Sequence, residues 1–169
     1  MRDGLIARAA TPDDVVAIAA IYNQGIAERV ATFETEPRTL ADILLWFDGV
    51  HPVVVVTDVA EDGPGERVVA FAATSPYRPR ACYAGIAEYS VYVDRDARGR
   101  GAGGLALEAL FMAATDAGYW KLVSRIFVEN AASRALMRRV GFREVGVYER
   151  HAQLDGVWRD VVIVEKLLP

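Results

Sequence analysis

The chain has 169 residues, of which 53% are hydrophobic, which is enough for one domain with a packed core and too apolar for a disordered chain. Its net charge of −4 argues against nucleic acid as a partner, because that binding depends on neutralising phosphates. A single cysteine excludes a disulfide within the chain and favours a reducing, cytoplasmic location, and no apolar stretch approaches the roughly 20 residues of a membrane span.

The first half of the chain predicts two helices followed by three strands. Thr11 can cap the first helix, and Pro12, with no N–H to leave unbonded, suits its first turn. Thr39 is placed to cap a second helix that carries Ile43, Leu44, Trp46 and Phe47. In chain order we predict a strand at residues 5–8, helical spacing through residue 26, a polar loop at 28–38, the second helix, and strands at 52–59, 67–74 and 85–93, with a turn at "EDGPGE".

The second half predicts a helix from residues 105 to 117 that starts near Gly103 and stops at Gly118, then a strand at 120–128. Asn130 caps a further helix through Val140, and strands follow at 142–149 and 158–166 around "LDG". The order β-α-α-β-β-β-loop-α-β-α-β-β predicts one α+β or mixed α/β domain.

The loop "RGRGAGG", residues 98–104, is the most informative stretch. Gly99, Gly101 and Gly104 match the dinucleotide fingerprint G-x-G-x-x-G. We reject that reading because five polar residues separate Val93 from Gly99 and because the preceding strands lack crossover helices. Glycines before a helix N-terminus, with positive charge from Arg98 and Arg100, instead predict a pyrophosphate site.

Two motifs resemble the GNAT superfamily of N-acetyltransferases. Residues 98–103 are similar to its R/Q-x-x-G-x-G/A signature, and "NAASRALMRRVGF" is similar to its N-x-x-S-x-x-L-x-x-x-x-G-F segment. The resemblance implies one GNAT domain over residues 1–169, an α+β fold with a central, twisted, mostly antiparallel sheet and about four helices. It also implies acetyl-coenzyme A as co-substrate, no metal, and binding of the coenzyme by Val91, Tyr92, Val93, Arg98, Gly99, Arg100, Gly101, Ala102, Gly103, Gly104, Asn130 and Ser133.

Further stretches resemble one branch of that superfamily. "AEYSVYV", "PYRPRACYAG" and "LDGVWRDV" are similar to phosphinothricin acetyltransferases, and "GIAERVATFET" and "YERHAQLDGVWRDVVIVEK" are similar to arsinothricin N-acetyltransferases. The resemblance implies acetylation of the α-amino group of a small acidic amino-acid analogue, a role in detoxification and antibiotic resistance, and a homodimer. No nucleic acid or membrane partner is expected.

The resemblance also implies roles for individual residues. Glu88 is expected to take the proton from the substrate ammonium, directly or through one water. Arg78 and Arg80 are expected to bind the substrate anion, and Phe33, with Arg29 and Thr32, to shape the pocket. The superfamily often places tyrosine or histidine where this chain has Met137, which cannot donate a proton to the leaving thiolate. Tyr92 or water is expected to supply that proton, or the thiolate leaves unassisted.

Two alternatives stay open at this point. One is an acetyltransferase for a different amine, such as methionine sulfone or sulfoximine, a polyamine or a protein N-terminus. The other is a non-catalytic acyl-coenzyme A sensor, which would keep the glycine loop but would not need Glu88.

Overall fold

The computed structural model describes residues 4–59 and 65–169. Seven strands form one mixed sheet in the order β1-β2-β3-β4-β5-β7-β6, in which β4 and β5 run parallel and every other neighbouring pair is antiparallel. The elements are β1 (Leu5–Ala9), α1 (Val15–Glu28), α2 (Leu40–Leu44), β2 (Val53–Val59), β3 (Glu66–Pro76), β4 (Ile86–Val93), α3 (Ala102–Asp116), β5 (Lys121–Phe127), α4 (Ala131–Arg139), β6 (Arg143–Leu154) and β7 (Val157–Leu167).

The predicted fold class and element order are confirmed. Asn130 caps α4 as expected, because its side-chain oxygen accepts a hydrogen bond from the Ser133 N–H at 3.1 Å. The Thr39 hydroxyl accepts one from the Asp42 N–H at 3.2 Å, which fixes the start of α2. The turn "EDGPGE" falls mainly on residues 61–64, outside the described residues.

Some boundaries differ from the predicted ones. The second helix, α2, ends at Leu44, so Trp46 and Phe47 lie in the turn that follows it. Both aromatic side chains still pack against the cluster beneath α1, which accounts for their helix-like spacing. The helix α3 begins at Ala102, one residue before the predicted start near Gly103, so its amphipathic part from Leu105 follows glycines that belong to the helix.

The sheet separates two hydrophobic clusters. On one face, α1 and α2 pack over residues such as Val55 and Phe71. On the other face, α3 and α4 pack over residues such as Ala72 and Tyr89. Because successive side chains of a strand alternate between faces, Glu88 and Tyr92 lie on the α1 side of β4 and Tyr89 lies on the α4 side.

The parallel pair β4–β5 is short, and this shapes the middle of the sheet. The pairing runs over three residue pairs, from Ile86 with Lys121 to Glu88 with Val123. The strand β4 continues to Val93 with β3 as its neighbour, while β5 continues with β7. The two strands therefore diverge beyond Glu88 and leave a gap in the sheet.

Candidate functional site

The gap between β4 and β5 opens into a cavity of about 360 Å³, which we call the gap cavity. Residues 88–92 of β4 and 124–127 of β5 form its sides, and residues 31–34 and His151 close it. The Ser124 hydroxyl donates to the Tyr89 carbonyl at 3.0 Å at the point where the strands separate. Beyond that point the backbone groups of β4 on this edge face the gap, where they can bind an extended ligand.

Glu88 and Arg125 form an ion pair on the wall of the gap cavity. The Glu88 carboxylate accepts from the Arg125 guanidinium across the gap, and their side chains are 30% and 42% exposed. Among the described residues that line this cavity, Arg125 is the one arginine or lysine. A carboxylate and a guanidinium side by side can receive, respectively, an ammonium and an anion of the same small molecule.

The glycine loop borders a second and larger cavity of about 1120 Å³, the loop cavity. Gly99 and Gly101 have φ angles of 79° and 91°, a conformation that residues with a side chain rarely adopt. They turn the chain so that α3 begins at Ala102. The first N–H groups of a helix have no acceptor within it, so those of α3 are available to an anion in this cavity.

The arginines of the glycine loop are already paired. Arg98 binds Glu28 at 2.7 Å, and Arg100 binds Asp58. Both line the loop cavity, but these carboxylates offset part of their charge. An anion in this cavity would therefore be held chiefly by the backbone and the N-terminus of α3.

The two cavities meet at a shared wall, so a ligand in one can reach a ligand in the other. Both are lined by the residues Ala31, Val91, Tyr92, Asn130 and Ser133. Asn130 also ties α4 to the preceding loop, because its side-chain nitrogen donates to the Val30 carbonyl at 3.2 Å. Twelve residues were predicted to bind the coenzyme, and all of them line the loop cavity.

Tyr92 and Phe33 both line the gap cavity. The ring of Tyr92 packs edge-on against Tyr22, with centroids 4.9 Å apart, and stacks on Phe71 at 5.6 Å. Burial raises the pKa of the Tyr92 hydroxyl above its usual range. Phe33 packs edge-on against Phe127 at 4.8 Å and so holds the loop after α1 over the gap cavity.

The predicted arginines of the substrate site lie elsewhere. Arg78 and Arg80 are exposed on the loop between β3 and β4, and neither lines the gap cavity. The Arg78 guanidinium lies 5.2 Å from the centre of the Tyr77 ring. Arg29 is also off the cavity wall: it binds Asp155 at 3.2 Å and donates to carbonyls of the loop that carries Phe33.

Sequence reasoning missed three cationic residues of the two cavities. Arg125 lines the gap cavity, and Arg139 and Lys166 line the loop cavity. The signal for Arg125 was its place in the strand "WKLVSRIFV", where a charge stands among apolar residues. Its direction becomes visible only once β5 is set in register with β4.

Within residues 4–59 and 65–169, no group of three or more histidine, cysteine, aspartate or glutamate side chains could hold a metal ion. None of the helices described there is long and apolar enough to span a membrane.

Comparison with known proteins gives matches over nearly the whole chain. The model of the acetyltransferase (GNAT) family matches residues 18–142. The phosphinothricin N-acetyltransferase of Streptomyces coelicolor is 32% identical over 95% of both chains. The L-methionine sulfoximine/L-methionine sulfone acetyltransferase of Pseudomonas aeruginosa is 35% identical over 90% of this chain and 88% of its own. A phosphinothricin acetyltransferase from Sinorhizobium meliloti, solved with acetyl-coenzyme A, superposes with a TM-score of 0.85 and 29% identity over 98% of this chain and 89% of that one.

These matches confirm the resemblance to the superfamily and to relatives named for phosphinothricin. The loop cavity fits the predicted co-substrate, because it combines a glycine loop with positive φ angles, the N-terminus of α3 and an unpaired edge of β4. The chain belongs to the GNAT family and is an acetyl-coenzyme A-dependent N-acetyltransferase.

Proposed function

We propose that the enzyme acetylates the α-amino group of a small acidic amino-acid analogue, of the phosphinothricin or arsinothricin type, and so inactivates it. The observation that carries this proposal is the pair Glu88 and Arg125 on the wall of the gap cavity. An amino acid brings an ammonium and a carboxylate together, and this pair offers a partner for each. A volume of about 360 Å³ suits a molecule of that size.

Glu88 acts as the general base in this proposal. It takes a proton from the substrate ammonium, directly or through one water, and leaves the nitrogen lone pair free to attack. Acetyl-coenzyme A, when bound, supplies the acetyl thioester. The side chain of Glu88 is about one third exposed, so the proton has a route to solvent after each turnover.

The substrate anion has two candidate receptors. Arg125 is already beside Glu88, and binding of a substrate carboxylate would exchange one carboxylate partner for another. Arg78 and Arg80 lie on the loop that leads into β4, and we retain them as receptors for the distal anion of an acidic analogue. If Arg125 is the receptor, changing it should lower activity with every amino acid. If Arg78 or Arg80 is the receptor, changing it should lower activity with acidic analogues alone.

A panel assay of thiol release tests the substrate class. The amines are phosphinothricin, arsinothricin, glutamate, methionine sulfone, methionine sulfoximine, spermidine and a short peptide with a free N-terminus. We expect the highest kcat/KM for phosphinothricin or arsinothricin. Preference for spermidine or the peptide would overturn the proposed substrate class, and binding of acetyl-coenzyme A without turnover of any amine would indicate a sensor.

The second candidate substrate class is methionine sulfone or sulfoximine, which the Pseudomonas aeruginosa relative is named for. The arginine variants separate it from the first. Arg80→Ala should raise KM for phosphinothricin about tenfold or more, equivalent to about 1.4 kcal/mol per decade. The KM for methionine sulfone, which has no distal anion, should stay unchanged. Equal effects on both substrates would remove Arg80 from the distal-anion site.

We also propose that the enzyme is a homodimer that uses the hairpin β6–β7. The strand β6 forms an edge of the sheet, and the hairpin exposes the large apolar side chains Val145, Val147, Tyr148, Val157 and Trp158. Sedimentation analysis should give about twice the chain mass, and Val147→Glu should shift it to the monomer. A wild-type monomer at micromolar concentration would contradict this.

A cytoplasmic location, which the single cysteine and the need for acetyl-coenzyme A favour, stays a prediction.

A further inference from the structure

The position of Met137 raises the question of which group protonates the leaving thiolate. Met137 lies on α4, is buried, and lines the gap cavity. Its thioether accepts hydrogen bonds weakly and donates none. The structure places a donor beside it, because the Tyr89 hydroxyl donates to the Met137 sulfur at 2.7 Å.

Tyr89 is held from both sides. Its ring packs against Phe142, with centroids 4.9 Å apart, and the Ser124 hydroxyl donates to its carbonyl at the vertex of the gap. Its side chain is almost fully buried, yet it lines the gap cavity. The hydroxyl is therefore held beside Met137, and both residues line the cavity in which acetyl transfer is proposed.

Tyr92 differs in its surroundings. It lies on the opposite face of β4, where Tyr22 and Phe71 pack against its ring, and a side chain at Gly25 would meet the ring at 2.5 Å. Tyr92 lines both cavities, but its ring packs into the cluster beneath α1, whereas Tyr89 and Met137 belong to the cluster on the other face of the sheet. The hydroxyl next to the α4 position that lacks a donor belongs to Tyr89.

We propose that Tyr89 is the general acid of the reaction. Its hydroxyl, carried by β4, protonates the leaving thiolate, because the methionine at position 137 of α4 has no proton to donate. The proposal rests on the proposed acetyl transfer in the gap cavity. It does not depend on which amine is the substrate.

The step balances with water as the relay. After the amine attacks, the bond between the acetyl carbon and sulfur breaks, and its electron pair goes to sulfur. Sulfur takes the proton of the Tyr89 hydroxyl and leaves as the thiol. The nitrogen, which became positively charged on attack, loses its remaining extra proton, which returns through water in the cavity to the phenolate oxygen of Tyr89.

The environment of Tyr89 keeps its hydroxyl protonated. Burial raises the pKa of this hydroxyl well above the usual range, so the group carries its proton at the start of each turnover. The thioether of Met137 is a weak acceptor, and a thiolate is charged and accepts more strongly. A leaving thiolate can therefore replace the thioether of Met137 as the acceptor of this hydrogen bond.

The first test is Tyr89→Phe, which removes the hydroxyl and keeps the ring that packs against Phe142. We expect kcat to fall at least about tenfold, while KM for the amine and the Kd of acetyl-coenzyme A, measured by calorimetry, change less than about twofold. Tyr119→Phe is the matched control, because Tyr119 is also buried but lines neither cavity. It should keep the wild-type kcat.

A rescue separates acid catalysis from a structural role. In the Tyr89→Phe background, Met137→Tyr restores a hydroxyl from α4, and Met137→His offers a smaller donor. We expect at least one of them to recover much of the lost kcat.

Several results would overturn the assignment. One is a Tyr89→Phe enzyme with wild-type kcat, and another is a loss that appears in Tyr92→Phe instead. Failure of both rescue variants in folded protein, shown by an unchanged acetyl-coenzyme A affinity, would also contradict it. The wild-type rate tests the proposed function, and a wild-type protein that acetylates none of the amines would contradict that proposal. The ratio of kcat between variant and wild type tests the role of Tyr89.

Discussion

Glu88→Gln tests the proposed base and nearly preserves the shape of the gap cavity. A general base contributes about 10²–10⁴ in rate, so the substitution should raise the barrier by about 2.7–5.5 kcal/mol. Its effect on folding should be far smaller. The ion pair of Glu88 with Arg125 is 30% and 42% exposed, and such pairs contribute less than about 1 kcal/mol. For a chain of this size that corresponds to about 2–4 °C in Tm.

The assay is thiol release with saturating acetyl-coenzyme A, combined with calorimetry for coenzyme binding and a thermal melt. Glu66→Gln is the matched control, because Glu66 forms an exposed ion pair with Arg8 at 3.3 Å and lines neither cavity. We expect the control to keep its kcat and Glu88→Gln to lose it, with both binding the coenzyme normally. A Glu88→Gln enzyme with kcat within about threefold of wild type would refute the role of Glu88 as base.

Three further predictions concern the loop cavity, the fold and the loop over the gap. Gly101 has a φ of 91°, so Gly101→Ala should strain the glycine loop by about 1–2 kcal/mol and weaken acetyl-coenzyme A binding in calorimetry. Gly118→Ala is the control: Gly118 has a φ of 88° and lies outside both cavities, so the substitution should lower Tm and leave the coenzyme affinity unchanged. The hydrogen bonds from Arg8, at 2.8 and 2.9 Å, lower the pKa of Asp14 and stabilise the folded protein by about 1.5–3 kcal/mol at neutral pH. This stabilisation is lost as the pH falls below the ordinary carboxyl pKa of 3.8, so the difference in Tm between wild type and Asp14→Asn should become smaller at low pH. A difference that stays constant with pH would contradict this. Phe33→Ala removes an edge-on aromatic contact of about 0.5–1.5 kcal/mol and should raise KM for the amine without changing the Kd of acetyl-coenzyme A; an equal rise in both would argue against a role confined to the gap cavity.

The fold was largely predictable because the residues that start and end its helices act locally. Thr39, Asn130 and the glycines of the loop act within a few residues of their own positions, so their roles are visible in the sequence. The end of α2 was predicted too late because Trp46 and Phe47 keep a helix-like spacing for a tertiary reason, their contact with the cluster beneath α1.

The candidate site was predictable where it follows one strand and was missed where it depends on two. The alternation of β4 placed Glu88 and Tyr92 on one face from the sequence alone. The contacts of Arg125 with Glu88 and of Tyr89 with Met137 join different elements, and they depend on how β4, β5 and α4 are set against one another. The sequence pointed to a missing donor at Met137 but could not indicate that a neighbouring strand supplies one.

The shared wall between the two cavities has a consequence for how such an enzyme can diverge. The loop cavity is built mainly from the glycine loop and the starts of α3 and α4, whereas the gap cavity is built from β4, β5 and the loop after α1. Five residues belong to both. Changes on β5 or in the loop that carries Phe33 can therefore alter the acceptor and leave the donor in place. Mutation of a few positions can in this way give one scaffold a new amine substrate while its binding of acetyl-coenzyme A stays unchanged.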